Sequence, residues 1–522
     1  MSHSTLDSPI WADSEAPLAH PPLTADTTVD ICVIGGGIAG LSVAYHVARD
    51  SKSVVILDAG RIAGRMTERT TAHLSSAIDD RFENVESVRG AEMAKLAYAS
   101  HQAAVQRIAE IVLRENIRCD FSRVSGYLFN PPDGDRKTLD NELAAARRAE
   151  VAGVEMLDRA PLPEFDTGPC VHFPDQGQFD PLKYVIGLVR AIEQHGGRVY
   201  EGTRVKSVDS GETAKVITSD GPTVTARSVV SATNAPVIDR YTLHTKQFPY
   251  VSYAVGLEVP RGAVPPGLYW DTADPYHYMR LRGRVGDGPD ELIVGGEDHK
   301  SGQDTPGDRF ERLATWARQR VPQCDRILHS WSGMVFETLD GLAYIGRNPG
   351  DSANVYVATG DSGMGMTHGN IAGMLIGDLI MGRENPWVEL YEPSRKPIRG
   401  VTEFAAENLN VAARYLEWVT GGDVSRSEQV APGTGAVVRR GLHKVAVYRD
   451  EKGDVHECSA ACPHLGGVVH WNPAMRTWDC PLHGSRFDAL GHVLDGPAIS
   501  GLAPVGESVP LQEESHAAAP RP

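Results

Sequence analysis

Cys462-Pro-His464 is followed by fifteen residues and then by Cys480-Pro-Leu-His483. Thiolates and imidazoles bind soft and borderline metals, and each half of this pattern offers one of each from a short Pro-containing loop. Two Cys and two His also suit a tetrahedral zinc site. Zinc-finger pairs, however, usually keep the two Cys together and the two His together, whereas each half here mixes them. Leu465-Gly466 follows the first pair and Gly484-Ser485-Arg486-Phe487-Asp488 the second.

This arrangement resembles the ligand set of a Rieske [2Fe–2S] centre, in which two thiolates hold one iron and two imidazoles the other. The resemblance implies that Cys462, His464, Cys480 and His483 are the metal ligands. Respiratory members carry an extra Cys in each loop, joined as a disulfide. Those positions here are Gly467 and Leu482, so that brace is absent. Ser485 keeps a hydroxyl near the sulfurs, while Phe487 lacks the Tyr hydroxyl of respiratory members. Hydrogen bonds to the sulfurs tune such a centre, so the expected potential lies between ferredoxin-like and respiratory values.

A second chemical centre stands near the N-terminus. Val29–Ile34 reads as a buried strand, Gly35-Gly36-Gly37-Ile38-Ala39-Gly40 as a turn, and Leu41 to Arg49 as a helix. In a strand, G-x-G-x-x-G, helix unit the glycines allow close backbone approach and the helix N-terminus faces a pyrophosphate. A second strand, Ser53 to Leu57, ends at Asp58-Ala59, eighteen residues beyond Gly40, where a carboxylate meets a ribose hydroxyl. A dinucleotide site is expected; the bland alternative is a Gly-rich turn that binds nothing.

Arg65-Met-Thr-Glu-Arg69-Thr70-Thr71-Ala72-His73-Leu74-Ser75 resembles the isoalloxazine-proximal loop of the D-amino-acid oxidase (glycine/sarcosine oxidase-like) superfamily. The resemblance makes the dinucleotide FAD and places Arg65, Thr70, Thr71, Ala72, His73 and Leu74 against it. Some relatives attach FAD covalently through a His at the position of His73; a simple hydrogen bond near the ring is the alternative. Further landmarks follow in the family's order. Val205 stands where a backbone group meets the adenine, and Ala232-Thr233 where a strand passes under the pyrophosphate. Gly360, Gly363, Met364, Gly365, Met366 and Thr367 stand where a helix N-terminus, partly positive, meets the flavin pyrimidine edge.

Between 241 and 330 the pattern changes to strands of an antiparallel sheet, which in the superfamily roofs the substrate pocket. Tyr250, Tyr253, His277 and Tyr278 are the lining candidates, and packing is the simpler role for any single one. Amino-acid-oxidising relatives often place an Arg just after the equivalent of Gly333 to clamp a carboxylate. Met334 stands there, which favours a less acidic amine unless Arg280 or Arg282 supplies the charge. Asp271, Asp274 and His277 invite a mononuclear-iron facial triad. No second His follows within a helical turn, and an oxygenase of that kind carries its cluster before the catalytic domain.

The expected architecture is α/β + β: a Rossmann-like FAD-binding domain with an antiparallel-sheet substrate domain, then a small all-β Rieske domain. Residues 1–28 read as a Pro-rich arm, with Trp11 either an anchor or a lone surface aromatic; 29–395 read as the flavin domain, including helical patterning over 87–160. Residues 396–423 read as a linker containing an amphipathic helix from Val401 to Val419, 424–511 as the Rieske domain and 512–522 as a tail. The net charge of −17 argues against nucleic acid or an anionic membrane surface as partner. No apolar run approaches the roughly 20 residues of a membrane span. The N-terminus lacks a signal-peptide pattern, and five of the seven Cys are scattered outside the cluster motif, so a reducing, cytoplasmic setting is expected.

The resemblance implies oxidation of an amine at its C–N bond by hydride transfer to FAD. Electrons then pass singly through the cluster to an external acceptor, either a redox partner protein or a small molecule. Two other directions stay open. Electrons could enter at the cluster from a ferredoxin or reductase and reduce a substrate, or oxygen could oxidise the flavin while the cluster senses redox state or is structural.

Overall fold

Val54–Leu57 and Val355–Thr359 are buried at every position, as strands covered on both faces must be. They belong to an eight-stranded sheet in the order Tyr344–Arg347, Val355–Thr359, Thr223–Asn234, Thr27–Ile34, Val54–Leu57, Arg198–Tyr200. The central pairs are parallel, and Val205–Asp209 and Ala214–Thr218 extend Thr223–Asn234 as an antiparallel flap. In this computed structural model the described residues are all except 1–7, 13, 16, 17, 239–242, 284–287, 304–307, 397–408, 412 and 506–522.

Helix Ile38–Arg49 starts directly after the glycine turn and packs on helix Gly365–Ile380, which brings the two ends of the flavin domain together. Helix Pro181–Gln194 begins as its sequence dictates. The Asp180 carboxylate accepts the N–H groups of Leu182 and Lys183, and Pro181 occupies the first helical position.

The roof is a nine-stranded sheet, and it draws on more of the chain than 241–330. Its order is Ile327–Thr338, Gln247–Val259, Asp290–Lys300, His277–Arg282, Leu268–Asp271, Ser122–Phe129, Cys170–Gln178, His73–Leu74, with Glu155–Leu157 beside Cys170–Gln178. Helices Ala91–Arg114 and Arg136–Arg148 fulfil part of the helical expectation for 87–160. Between them, Ser122–Phe129 is a strand, with Val124 and Leu128 buried at a period of two. It runs parallel to Leu268–Asp271, so the roof is not purely antiparallel.

The N-terminal arm is tied down by Trp11, which is 1% exposed. Its indole donates to the Thr70 carbonyl at 2.7 Å, and the guanidinium groups of Arg280 and Arg282 lie 5.1 and 4.9 Å from its ring. The expected helix Val401–Val419 falls partly outside the described residues. Residues 409–411 and 413–414 are helical, and Tyr415–Val419 is a 3₁₀ turn.

The C-terminal domain has a three-stranded sheet of Thr434–Arg440, His443–Arg449 and Val455–Ser459. A four-stranded sheet of His470–Asn472, Thr477–Asp479, Arg486–Phe487 and Val493–Asp495 completes it. The expected tail, 512–522, lies outside the described residues, as do 506–511.

Candidate flavin cavity and cluster site

Gly35 has φ +104°, and a Cβ there would run into the Ala232 carbonyl, so this turn requires glycine. Asp58 is fixed beside it: one carboxylate oxygen accepts the Gly36 N–H at 2.7 Å and the other the Gly60 N–H at 2.8 Å. These groups border a cavity of about 320 Å³. Of the residues assigned to FAD from sequence, Gly35, Gly37, Ile38, Ala39, Asp58, Ala59, Arg65, Thr70, Thr71, His73, Val205, Ala232, Thr233, Gly363, Met364, Gly365 and Met366 line it.

Five do not. Gly40 is packed against the Gly35 carbonyl, and Gly360 against Thr338. Ala72 and Leu74 are fully buried in the core, and the Thr367 hydroxyl is committed to the Met364 carbonyl and His101. His73 meets the cavity edge-on to Tyr278, with ring centroids 5.2 Å apart. Burial pushes it down to about 3, so the ring is neutral, and its buried Nε2 has no hydrogen-bond partner among the described residues. That orphaned nitrogen beside a glycine cradle fits a flavin.

The four roof candidates divide. Tyr278 lines the cavity, next to Tyr276, Trp270 and Ser252, which the sequence reading missed. Tyr253 borders it, but its ring packs between His299 and Phe310 and its hydroxyl is engaged by His299 and Asn472. Tyr250 is not in the lining. His277 points to the opposite face, stacked on Trp316 at 5.2 Å and bonded to Glu297 at 3.1 Å. Asp271 accepts the Trp316 indole at 3.0 Å and the His277 N–H at 2.9 Å. Among the described residues Asp271, Asp274 and His277 are not arranged to hold a metal ion, so they form no facial triad.

The cavity has an acidic side. Asp79 and Asp361 line it, and burial pushes each up to about 6. Burial raises Asp80 and Asp298 to about 7 and lifts Glu337 well above the usual carboxylate range, helped by mutual repulsion among these carboxylates. Asp79 accepts the Tyr276 hydroxyl at 3.0 Å. Arg280 and Arg282 are engaged elsewhere. Arg280 donates to the carbonyls of Thr71 and Phe179, and Arg282 to Glu291 and the Ile10 carbonyl.

The two cluster loops repeat one turn. The Cys462 N–H donates to the Gly467 carbonyl and the Cys480 N–H to the Ser485 carbonyl, each at 2.8 Å. The Cys462 and Cys480 thiols lie within hydrogen-bonding reach of each other, and the His464 and His483 rings stand 5.1 Å apart at 82°. The ligands form a Cys pair and a His pair, the division that two irons need. The N–H groups of His464 and Leu465 and the Ser485 hydroxyl point at the Cys462 sulfur. His483 Nδ1 is buried without a hydrogen-bond partner among the described residues, and burial keeps the ring neutral, as a metal ligand must be. A Cβ on Gly467 would stand 2.6 Å from Leu482, so these two positions face each other with no sulfur to bridge them.

The second cluster loop is also the domain interface. A Cβ on Gly484 would lie 2.5 Å from Pro249 and 3.3 Å from the Met334 sulfur. The Ser301 hydroxyl donates to the Cys480 carbonyl at 3.3 Å, and Arg65 pairs with Asp495 at 3.2 Å. Val493, Asp495, Gly496, Ala498 and Ile499 of the C-terminal domain complete the wall of the flavin cavity.

Residues 30–379 match the FAD dependent oxidoreductase family. The chain belongs to the FAD-dependent oxidoreductase family. Residues 421–506 of this oxidoreductase match the Rieske [2Fe-2S] domain, so its cofactors are FAD and a [2Fe–2S] cluster. A Bacillus subtilis protein named for a Rieske 2Fe-2S iron–sulfur centre, YhfW, is 29% identical over 94% of the oxidoreductase and 96% of its own length. The γ-glutamylputrescine oxidoreductase of Escherichia coli is 28% identical, covering 69% of this chain and 85% of that one. The crystal structure of glycine oxidase from Geobacillus kaustophilus superposes with a TM-score of 0.58 at 18% identity, over 71% of this chain and 99% of that one, which shows a shared fold.

Proposed function

We propose that the oxidoreductase removes two electrons from an amine at the carbon beside nitrogen and passes them within the chain to the cluster, then to an external acceptor. One observation carries this reading: the flavin cavity and the second cluster loop share a wall. Met334 and Gly496 both line the cavity, Met334 approaches Gly484, and Gly496 packs on Ser485, whose hydroxyl reaches Cys462. FAD supplies a hydride acceptor there, and the cluster a one-electron acceptor.

The chain's own residues select the substrate. Asp79 and Asp361 face the cavity, and among the described residues neither they nor Asp80, Asp298 and Glu337 form an ion pair with a basic side chain. Met334 is in the lining, and Arg280 and Arg282, the two roof arginines, are engaged away from a substrate carboxylate. The pocket therefore fits a protonated amine better than a free α-amino acid, and its carboxylates can take the proton the amine must lose before it yields hydride. A relative named for γ-glutamylputrescine supports C–N chemistry. All seven cysteines are unpaired and no helix among the described residues is long and apolar enough to cross a membrane, which supports a cytoplasmic setting with a diffusible acceptor.

The test is anaerobic absorbance and electron paramagnetic resonance of the holoprotein against secondary amines, methylated amines, diamines and free amino acids. An amine should bleach the flavin band, and the reduced-cluster signal should follow without added mediator. Bleaching by reduced ferredoxin alone would reverse the direction of flow.

A further inference from the structure

His244 belongs to the flavin domain, just before the strand Gln247–Val259. Its imidazole touches both imidazoles of the cluster site. Ring centroids lie 5.0 Å from His464 and 5.3 Å from His483, edge to face at 63° and 60°. With His464 and His483 themselves 5.1 Å apart, three rings close on one another. His244 is held from behind, its Nε2 lying 3.1 Å from the Pro236 carbonyl. The result is burial: His464 is 3% exposed, His483 8% and His244 4%.

An imidazole that binds metal through one nitrogen turns its other edge outward. That edge is where water, protons or a docking protein would meet a Rieske centre. Here both imidazoles pack edge to face against His244, while Pro249 and Met334 cover the adjoining Gly484. We infer that His244 is a positioning residue that seals the imidazole edge of the cluster, making that edge an internal junction and leaving an external redox partner to engage the chain elsewhere. The inference rests on the cluster ligand set and not on the identity of the substrate, so it stands or falls separately from the amine reading.

Sealing has an electrical consequence. Reduction adds negative charge to the cluster, and a dry surrounding disfavours that charge, so admitting water should raise the potential.

The experiment treats the holoprotein with diethylpyrocarbonate and maps carbethoxylated histidines by peptide mass. His492, whose side chain is 74% exposed, is the internal standard. In the wild type, His464 and His483 should react at least about tenfold more slowly than His492, because their labelling must wait for local opening. H244A should speed labelling of both to within a few-fold of His492 and raise the cluster potential. H244F, which keeps a ring in place, should restore both protection and potential. Wild-type His464 or His483 reacting as fast as His492 would overturn the inference, and that arm needs no variant to fold. So would an H244A protein with unchanged labelling and potential.

Discussion

The Asn472 amide donates to the Tyr253 hydroxyl at 3.1 Å, joining the C-terminal domain to the roof of the flavin cavity. The same amide donates to Asp479 at 3.0 Å, and the same hydroxyl meets His299 at 2.9 Å. All of these groups are buried. Tyr253→Phe deletes a partner of two buried polar side chains without changing the ring's shape. It should lower the unfolding free energy by about 1–3 kcal/mol. Thermal denaturation of holoprotein checks this; an unchanged midpoint would mean that the docking does not depend on this bond.

Asp58 does two tasks that a single substitution can separate. Its carboxylate orders the turn by accepting the N–H groups of Gly36 and Gly60, and it borders the cavity. Asp58→Ala removes both, and FAD affinity should fall about 10–100-fold, the worth of one charge-assisted hydrogen bond. Asp58→Asn keeps one acceptor and should lose less. Flavin release measured by fluorescence ranks the three proteins, and equal affinity in wild type and D58A would remove Asp58 from the FAD site.

The local motifs were legible because each is contiguous: the glycine turn with Asp58, the Thr70–His73 segment and the paired Cys/His loops each lie within one short stretch. Which face of a strand a residue occupies was not. His277 and Tyr278 are neighbours, so one had to point away from the cavity, and only the packing of Trp316 decides that it is His277. Tyr250 and Tyr253 are separated by a register shift between Val251 and Tyr253, which periodicity could not reveal. Asp79 and Asp361 carry no motif; they matter because the fold brings residues almost three hundred positions apart to one cavity. Ser122–Phe129 did show alternation, yet it lay between two strong helical patterns. His244 has no sequence signal, since its significance depends on a domain contact.

Glu142 gives stability a pH dependence away from both sites. Its carboxylate caps helix Phe82–Arg89 from outside, accepting the N–H groups of Phe82 and Glu83 at 3.0 Å each. Burial pushes it up to about 7 from an ordinary 4.5, against the pull of those two bonds. Between these values the folded state holds a proton that the unfolded state has released, so stability declines as pH rises from about 4.5 to 7 and is level above. E142Q cannot ionise and should flatten that slope, at a uniform cost of about 1 kcal/mol for a lost acceptor. Urea unfolding midpoints at pH 5 and pH 8 give the answer, and equal slopes in both proteins would assign the trend to other groups.

The carboxylates of the cavity predict how substrate affinity follows pH. Burial pushes Asp79 and Asp361, which line the cavity, up to about 6, so the cavity gains negative charge as pH rises through this region. A cationic amine should then bind more tightly, and its KM should fall between pH 5.5 and 7.5 while the amine itself stays protonated. Asp79→Asn removes the carboxylate that holds the Tyr276 hydroxyl and faces the cavity. It should raise KM about tenfold for a cationic amine, the equivalent of about 1.4 kcal/mol, and weaken its pH dependence. An uncharged amine analogue should be nearly indifferent to the change. If D79N instead lowers kcat for both with KM intact, Asp79 acts on the chemical step and the cation is held by other carboxylates.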